Sequence, residues 1–283
     1  MKTAVFSLVL FAISMFFYLF FSFYSSRRPQ ENFAESNRQL RIVSLAPPAT
    51  NQLAALGKDY LLVGKTAFCL GGENAQIVGD VINISGEAVM VLNPDVILAG
   101  SLTNRSLTER LQTANIEVVI ISDPRNYEEL RANFRKIAEI ADALPKADSI
   151  LAVVDARLSQ IRTQNENLAN RPLIFVQLSV NPIFTVMKNT LGHEMIELSG
   201  GRNAFELEGG ALVSAEAVVA ANPDMIIVAD MEEFSKDELA RWARFENISA
   251  VKNGALHIFD AHKIGSPTPI SFLEAVEKIR SLL

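Results

Sequence analysis

"SAEAVVAANPDMIIVAD" (residues 214–230) repeats the frame of "SGEAVMVLNPDVILAG" (residues 85–100): Ser-x-Glu-Ala-Val, then Asn-Pro-Asp, then an apolar run. Each copy spells the same local structure. Ser85 and Ser214 are suited to cap a helix, because a serine oxygen accepts from the backbone N–H groups that a first turn leaves unpaired. Glu87 and Glu216 follow two positions on, where a carboxylate meets the positive end of the helix dipole. Asn93 and Asn222 stand where the helix stops, and Pro94 and Pro223 forbid its continuation. The apolar runs "VILAG" and "MIIVAD" read as buried strands. Helix, stop and strand used twice suggest two α/β lobes related by duplication, with a ligand cleft between them.

Outward from the repeat, short apolar runs alternate with amphipathic ones: "RIVSLA", "ATNQLAALG", "YLLVG", "EAVMVLN", "DVILAG", "LTERLQTAN", "EVVIIS". Strands of a few residues separated by helical segments predict βα units and a mostly parallel sheet flanked by helices. Over residues 127–171 the period becomes an extended helical one, broken at "ALPKAD", where Pro145 allows a bend. A second series then begins at "PLIFVQLS" and closes on the helical "TPISFLEAVEKIRSLL". The predicted fold class is α/β: an N-terminal lobe (residues 41–126), a long helical bridge (residues 127–171) and a C-terminal lobe (residues 172–283).

Composition sets wider bounds. At 283 residues, 49% hydrophobic and 20% charged, the chain is a globular type. A net charge of −6 and the lack of any long Lys/Arg run argue against nucleic acid as a partner. The single cysteine, Cys69, excludes an internal disulfide. Residues 4–24 carry no charge and are about long enough to cross a bilayer. The run is longer than a usual signal core and ends "SFYSSRR" without a small-x-small exit, which favours an uncleaved anchor over a cleaved signal. Arg27 and Arg28 run against the positive-inside pattern of an exported domain, so charge alone leaves orientation open. Residues 1–40 are therefore read as anchor or signal followed by a polar tether.

"RIVSLAPPATNQLAALGKDYLLVGKT", "EAVMVLNPDVILAG", "LGHEMIELSGGRNAF", "EAVVAANPDMIIVAD" and "ISAVKNGALHIFD", in that order, resemble the periplasmic binding proteins of ABC importers for ferric siderophores, haem and cobalamin. The likeness runs from Arg41 to the C-terminus. It implies two lobes bridged by one long helix, small hinge motion, cargo held between the lobes without any resident cofactor, and delivery to a dimeric membrane permease outside the cytoplasm. It also implies that Glu87 and Glu216, one per lobe, engage permease arginines. A two-fold partner requires the same contact twice, which is what the repeat supplies. Two departures bear on the ligand. Aromatic residues that cobalamin binders tend to place just before these glutamates are absent, with Val81, Ile82, Asn83, Gly209 and Gly210 there instead, and "SPTPISF" has Ile270 where the family often has Arg.

Loops at strand ends supply the candidate ligand residues, because open α/β sheets bind at that edge. They are Pro47, Pro48, Phe68, Cys69, Ser101, Arg105, Asn181, Phe184, Met231 and His262. Phe68 and Phe184 read equally as cleft walls and as core, and Cys69 and Trp242 read as packing. A bare metal ion needs ligands converging from both lobes, whereas His193, His257 and His262 all fall in the second. No G-x-S-x-G, H-E-x-x-H or G-x-G-x-x-G after a strand occurs, so nothing in the sequence supports an enzyme. A membrane-tethered assembly protein that keeps the fold without carrying cargo is the alternative reading.

Overall fold

The computed structural model describes residues 38–230 and 235–283. The anchor or signal expected over residues 4–24, and Met231, lie outside the described residues. Residues from Leu40 to Leu283 form one compact unit.

In chain order, the first lobe contains β1 (Ile42–Ser44), α1 (Pro47–Ala55), β2 (Leu62–Lys65), β3 (Gln76–Ile77), α2 (Gly86–Val91), β4 (Val96–Gly100), α3 (Arg105–Thr113) and β5 (Glu117–Ile121). The helices α4 (Tyr127–Ile140) and α5 (Leu144–Asn165) follow. The second lobe contains β6 (Leu173–Gln177), α6 (Leu191–Leu198), β7 (Arg202–Asn203), α7 (Ala215–Ala221), β8 (Met225–Asp230), α8 (Ser235–Trp242), α9 (Ser249–Lys252), β9 (Leu256–Asp260), α10 (Ala261–Gly265) and α11 (Pro269–Arg280). Strand order is β3-β2-β1-β4-β5 in one sheet and β7-β6-β8-β9 in the other, and every pairing is parallel.

All-parallel sheets need both faces covered, which explains why the central strands are continuous apolar runs. Ile42, Val96 and Leu98 enter one core of the first lobe, while Val43, Leu45 and Ile97 enter the other. In the second lobe Ile174, Val176 and Ile227 face one core and Phe175, Ile226 and Val228 the opposite one. Adjacent strand residues point to opposite faces, so each run fills two cores at once. Trp242 is fully buried in the second of these, with its indole N–H donated to Gln177 Oε1 at 2.6 Å.

Over residues 127–171, where the sequence predicts a helical bridge, the structure has two helices, α4 and α5, the second ending at Asn165. Asp142 adopts φ 48° after α4, and Pro145 occupies the first turn of α5. Proline tolerates that position because the N–H it lacks has no partner there, so Pro145 starts a new helix where a bend was expected. The two helices run antiparallel, joined by Arg131–Asp155 at 3.1 Å, by Arg135–Asp148, and by Tyr127 Oη donating to Asp155 at 2.7 Å. Both helices pass through both lobes. Tyr127 and Leu130 of α4 and Val154, Leu158 and Ile161 of α5 belong to the second lobe's core; Phe134 and Ile137 of α4 and Ala147 and Leu151 of α5 belong to the first's.

Candidate functional site

The strand orders place a reversal of direction between β1 and β4 in the first sheet and between β6 and β8 in the second. At such points the loops leaving the strands diverge and open a crevice beyond their carboxyl ends. The first lobe's crevice is a small cavity lined by Leu45, Ala46, Pro47 and Pro48 after β1, Ser101 and Leu102 after β4, and Asp123 after β5. A larger cleft of about 330 Å³ lies between the lobes. Pro48, Gln52, Asp123, Pro124 and Arg125 form its first-lobe wall. Leu178, Thr185, Met187, Leu191 and Ile264 are prominent in the opposite wall.

Several wall groups are already committed. Thr185 Oγ1 donates to Val176 O at 2.8 Å, and Thr190, the cap of α6, donates to Met187 O at 2.7 Å. Ser101 donates its hydroxyl to Asp123. Arg125 forms a fork with Glu129, Nη2–Oε1 2.7 Å and Nε–Oε1 3.1 Å, and that hydrogen bonding holds the Glu129 carboxyl below its usual range. Beside the cleft residue Gln52, Asn51 Nδ2 of α1 donates to Ser266 O of the second lobe at 3.0 Å.

The structure gathers some of the sequence-derived candidates and scatters others. Pro47, Pro48 and Ser101 line the first-lobe cavity, and Pro48 also lines the interlobe cleft. Phe184 is adjacent to Thr185 of the cleft and is 40% exposed, bridging in backbone to Leu212. His262 lies exposed in the first turn of α10, two residues before the cleft residue Ile264. Phe68 is 61% exposed and does not join the core. Cys69 is buried, its Sγ 3.2 Å from Thr66 Oγ1 and 3.9 Å from the Ser44 carbonyl. Arg105 begins α3 as an exposed residue paired with Glu109 at 2.8 Å, and Asn181 is exposed beside Pro182. Neither lines the cleft. Among the described residues no three His, Cys, Asp or Glu side chains converge as a metal site.

Gln52, Asp123 and Thr185 are cleft residues that the sequence reading did not select. For Gln52 a signal existed. Ala49, Leu53 and Leu56 mark the buried face of α1, and Gln52 falls on that face at helical spacing, where a glutamine is out of place.

The repeated motif is duplicated in three dimensions. Ser85 Oγ accepts from Ala88 N at 3.1 Å and Ser214 Oγ from Ala217 N at 3.2 Å, which are the expected caps of α2 and α7. Glu87 and Glu216 are both exposed in the first turn, while Val89 and Val218 are both fully buried. The Glu216 carboxyl lies below its ordinary range because its own backbone N–H, and then the Ser214 side chain, donate to it. Asn93 and Asn222 take the left-handed conformation, φ 45° and 48°, that ends each helix.

Comparison with known proteins agrees with this arrangement. The chain is 27% identical over 250 residues to an uncharacterized ABC transporter substrate-binding lipoprotein of Bacillus subtilis (strain 168), covering 84% of this chain and 78% of the relative. It is 28% identical over 201 residues to a vitamin B12-binding protein of Photorhabdus laumondii, covering 69% and 72%. The periplasmic vitamin B12 binding protein of Vibrio cholerae superposes with a TM-score of 0.71 at 25% identity, over 86% of this chain and 95% of that one. The family model described as periplasmic binding protein matches residues 42–262, most of both lobes and the whole bridge, and the chain belongs to that family.

Proposed function

We propose that the protein is the extracytoplasmic substrate-binding component of an ABC importer, which captures a ferric siderophore, haem or cobalamin between its lobes and hands it to a membrane permease. The interlobe cleft supports this reading: it lies at the carboxyl ends of two parallel sheets and draws its lining from both lobes. The chemistry asked of the chain is binding and release. Apolar walls supply burial, and the polar groups among them supply orientation. The paired helices α4 and α5 keep the lobes at a set distance, so cargo enters with little closure. Glu87 and Glu216 serve as the two docking charges, one on each half of a symmetric permease, and residues 4–24 hold the protein at the membrane.

Calorimetric titration of the purified full-length chain with cyanocobalamin, ferrioxamine B and hemin tests the reading. One of these should bind at one molecule per chain. If none of them does, the membrane-tethered assembly reading takes its place.

A further inference from the structure

Among the described residues that line the interlobe cleft, Asp123 and Arg125 alone carry charge, and Asp123 also lines the first-lobe cavity. Arg125 brings its own counter-charge in Glu129, whereas Asp123 is held by a neutral hydroxyl, that of Ser101. Cations just beyond the lining are matched as well. Lys188, next to Met187, pairs with Glu206 at 3.3 Å, and Lys263, next to Ile264, pairs with Glu274 at 2.7 Å. Helix starts offer an anion little. Pro47 and Pro48 open α1 without N–H groups, and α6 carries Glu194 in its first turn. An anionic ligand therefore gives up its water for a wall whose cations are already paired, beside a carboxylate of like sign.

Apolar surface is plentiful instead. Leu178, Val186, Met187, Leu191 and Ile264 line the cleft. Two leucines at its borders stay largely in water. Leu102, of the first-lobe cavity, is 73% exposed. Leu212, next to the cleft residue Ala211, is 61% exposed and bridges in backbone to the half-exposed Phe184. Large apolar side chains left in water beside a cavity mark a surface that a ligand covers.

Resting on the cleft as a cargo site, we propose that the cargo is a metal chelate or corrinoid of zero or positive net charge with an apolar face, and that anionic chelates are rejected. Asp123 is the charge that discriminates. Leu102 and Leu212 lie against the apolar face.

The test titrates the full-length chain by calorimetry with ligands matched in all but charge. Ferrioxamine B carries a free ammonium; its N-acetyl derivative is neutral and its N-succinyl derivative anionic. Cyanocobalamin is compared with its monocarboxylic acid, and hemin, which bears carboxylates, is run beside them. Ferrioxamine B or cyanocobalamin should bind, and its anionic counterpart should bind about tenfold more weakly or worse. Raising the salt concentration should shrink that gap, because screening hides like charges. Asp123→Asn should narrow it too. Leu102→Ser and Leu212→Ser should each weaken the parent ligand several-fold, through lost apolar burial. An anionic counterpart bound as tightly as its parent, or hemin bound alone, overturns the charge selection while leaving the cleft a cargo site. A gap unchanged in Asp123→Asn overturns the role of that carboxylate, and parent binding unchanged in both leucine variants overturns the apolar contact. Failure of every probe removes the cargo reading itself, and this proposal with it.

Discussion

Asp224 accepts a hydrogen bond from the backbone N–H of Leu173 at 2.8 Å, across the start of β6 and β8. Asp95 does the same for Arg41 N at 2.8 Å at the start of β1 and β4. The chain closes each pair in reverse as well, with Asp224 N donating to Leu173 O at 2.8 Å and Asp95 N to Arg41 O at 2.9 Å. The aspartate of each Asn-Pro-Asp therefore locks the first strand of its lobe to the strand it precedes. Asp224→Ala should lower stability by about 1–3 kcal/mol, because it leaves a partly buried N–H without its acceptor. Asp224→Asn, which keeps an acceptor oxygen, should cost less. Urea unfolding midpoints check both, and equal losses for the alanine and asparagine variants refute the role given to the acceptor oxygen.

Much of this was legible from residue order. The caps at Ser85 and Ser214, the stops at Asn93 and Asn222, and the buried runs after them are local events, set by side chains acting on their own backbone. The αα turn was half legible: Pro145 announces an interruption, but whether a helix bends or folds back depends on Tyr127, Arg131 and Arg135 meeting Asp155 and Asp148, which are remote in sequence. Cleft residues were the least legible. Loop tips such as Phe68, Arg105 and Asn181 share a sheet edge with the cleft without facing it, and the side chains that do face it, such as Gln52 and Thr185, belong to no motif.

Tyr127 couples the bridge to acidity. Its phenol lies well above the ordinary value near 10, first through burial and then through its hydrogen bond to Asp155. A proton held more tightly in the folded chain adds stability that is complete below pH 10 and is lost as pH rises above it. Tyr127→Phe should therefore cost about 0.5–1.5 kcal/mol at neutral pH. It should also make the decline in stability above pH 10 shallower than in the wild type. Melting curves across that range decide the matter, and parallel declines would show that the phenol contributes nothing.

The double bridge predicts small motion. Ile150 packs against both lobes' cores, and α4 and α5 each bury residues in both, so opening the cleft widely requires repacking two helices at once. Small-angle scattering of the full-length chain should change little when a bound probe is added. A large compaction would contradict a stiff bridge and point to loops that bend.

Glu87 and Glu216 provide the sharpest division between docking and binding. Both are exposed first-turn residues, and neither lines the interlobe cleft. Their removal should leave the fold intact, since the caps that hold α2 and α7 come from Ser85 and Ser214. If each meets an arginine of a permease at a contact that excludes water, removing one charge should weaken the complex roughly thirtyfold or more. A pair left in solvent should lose only a few-fold. If the two lobes dock as equivalents, the double variant Glu87→Arg with Glu216→Arg should keep the affinity for cargo and abolish cellular uptake, whereas each single reversal should give a partial loss. Normal uptake by the double variant would reduce both glutamates to helix-start residues, and lost cargo affinity in a folded double variant would assign them to binding instead.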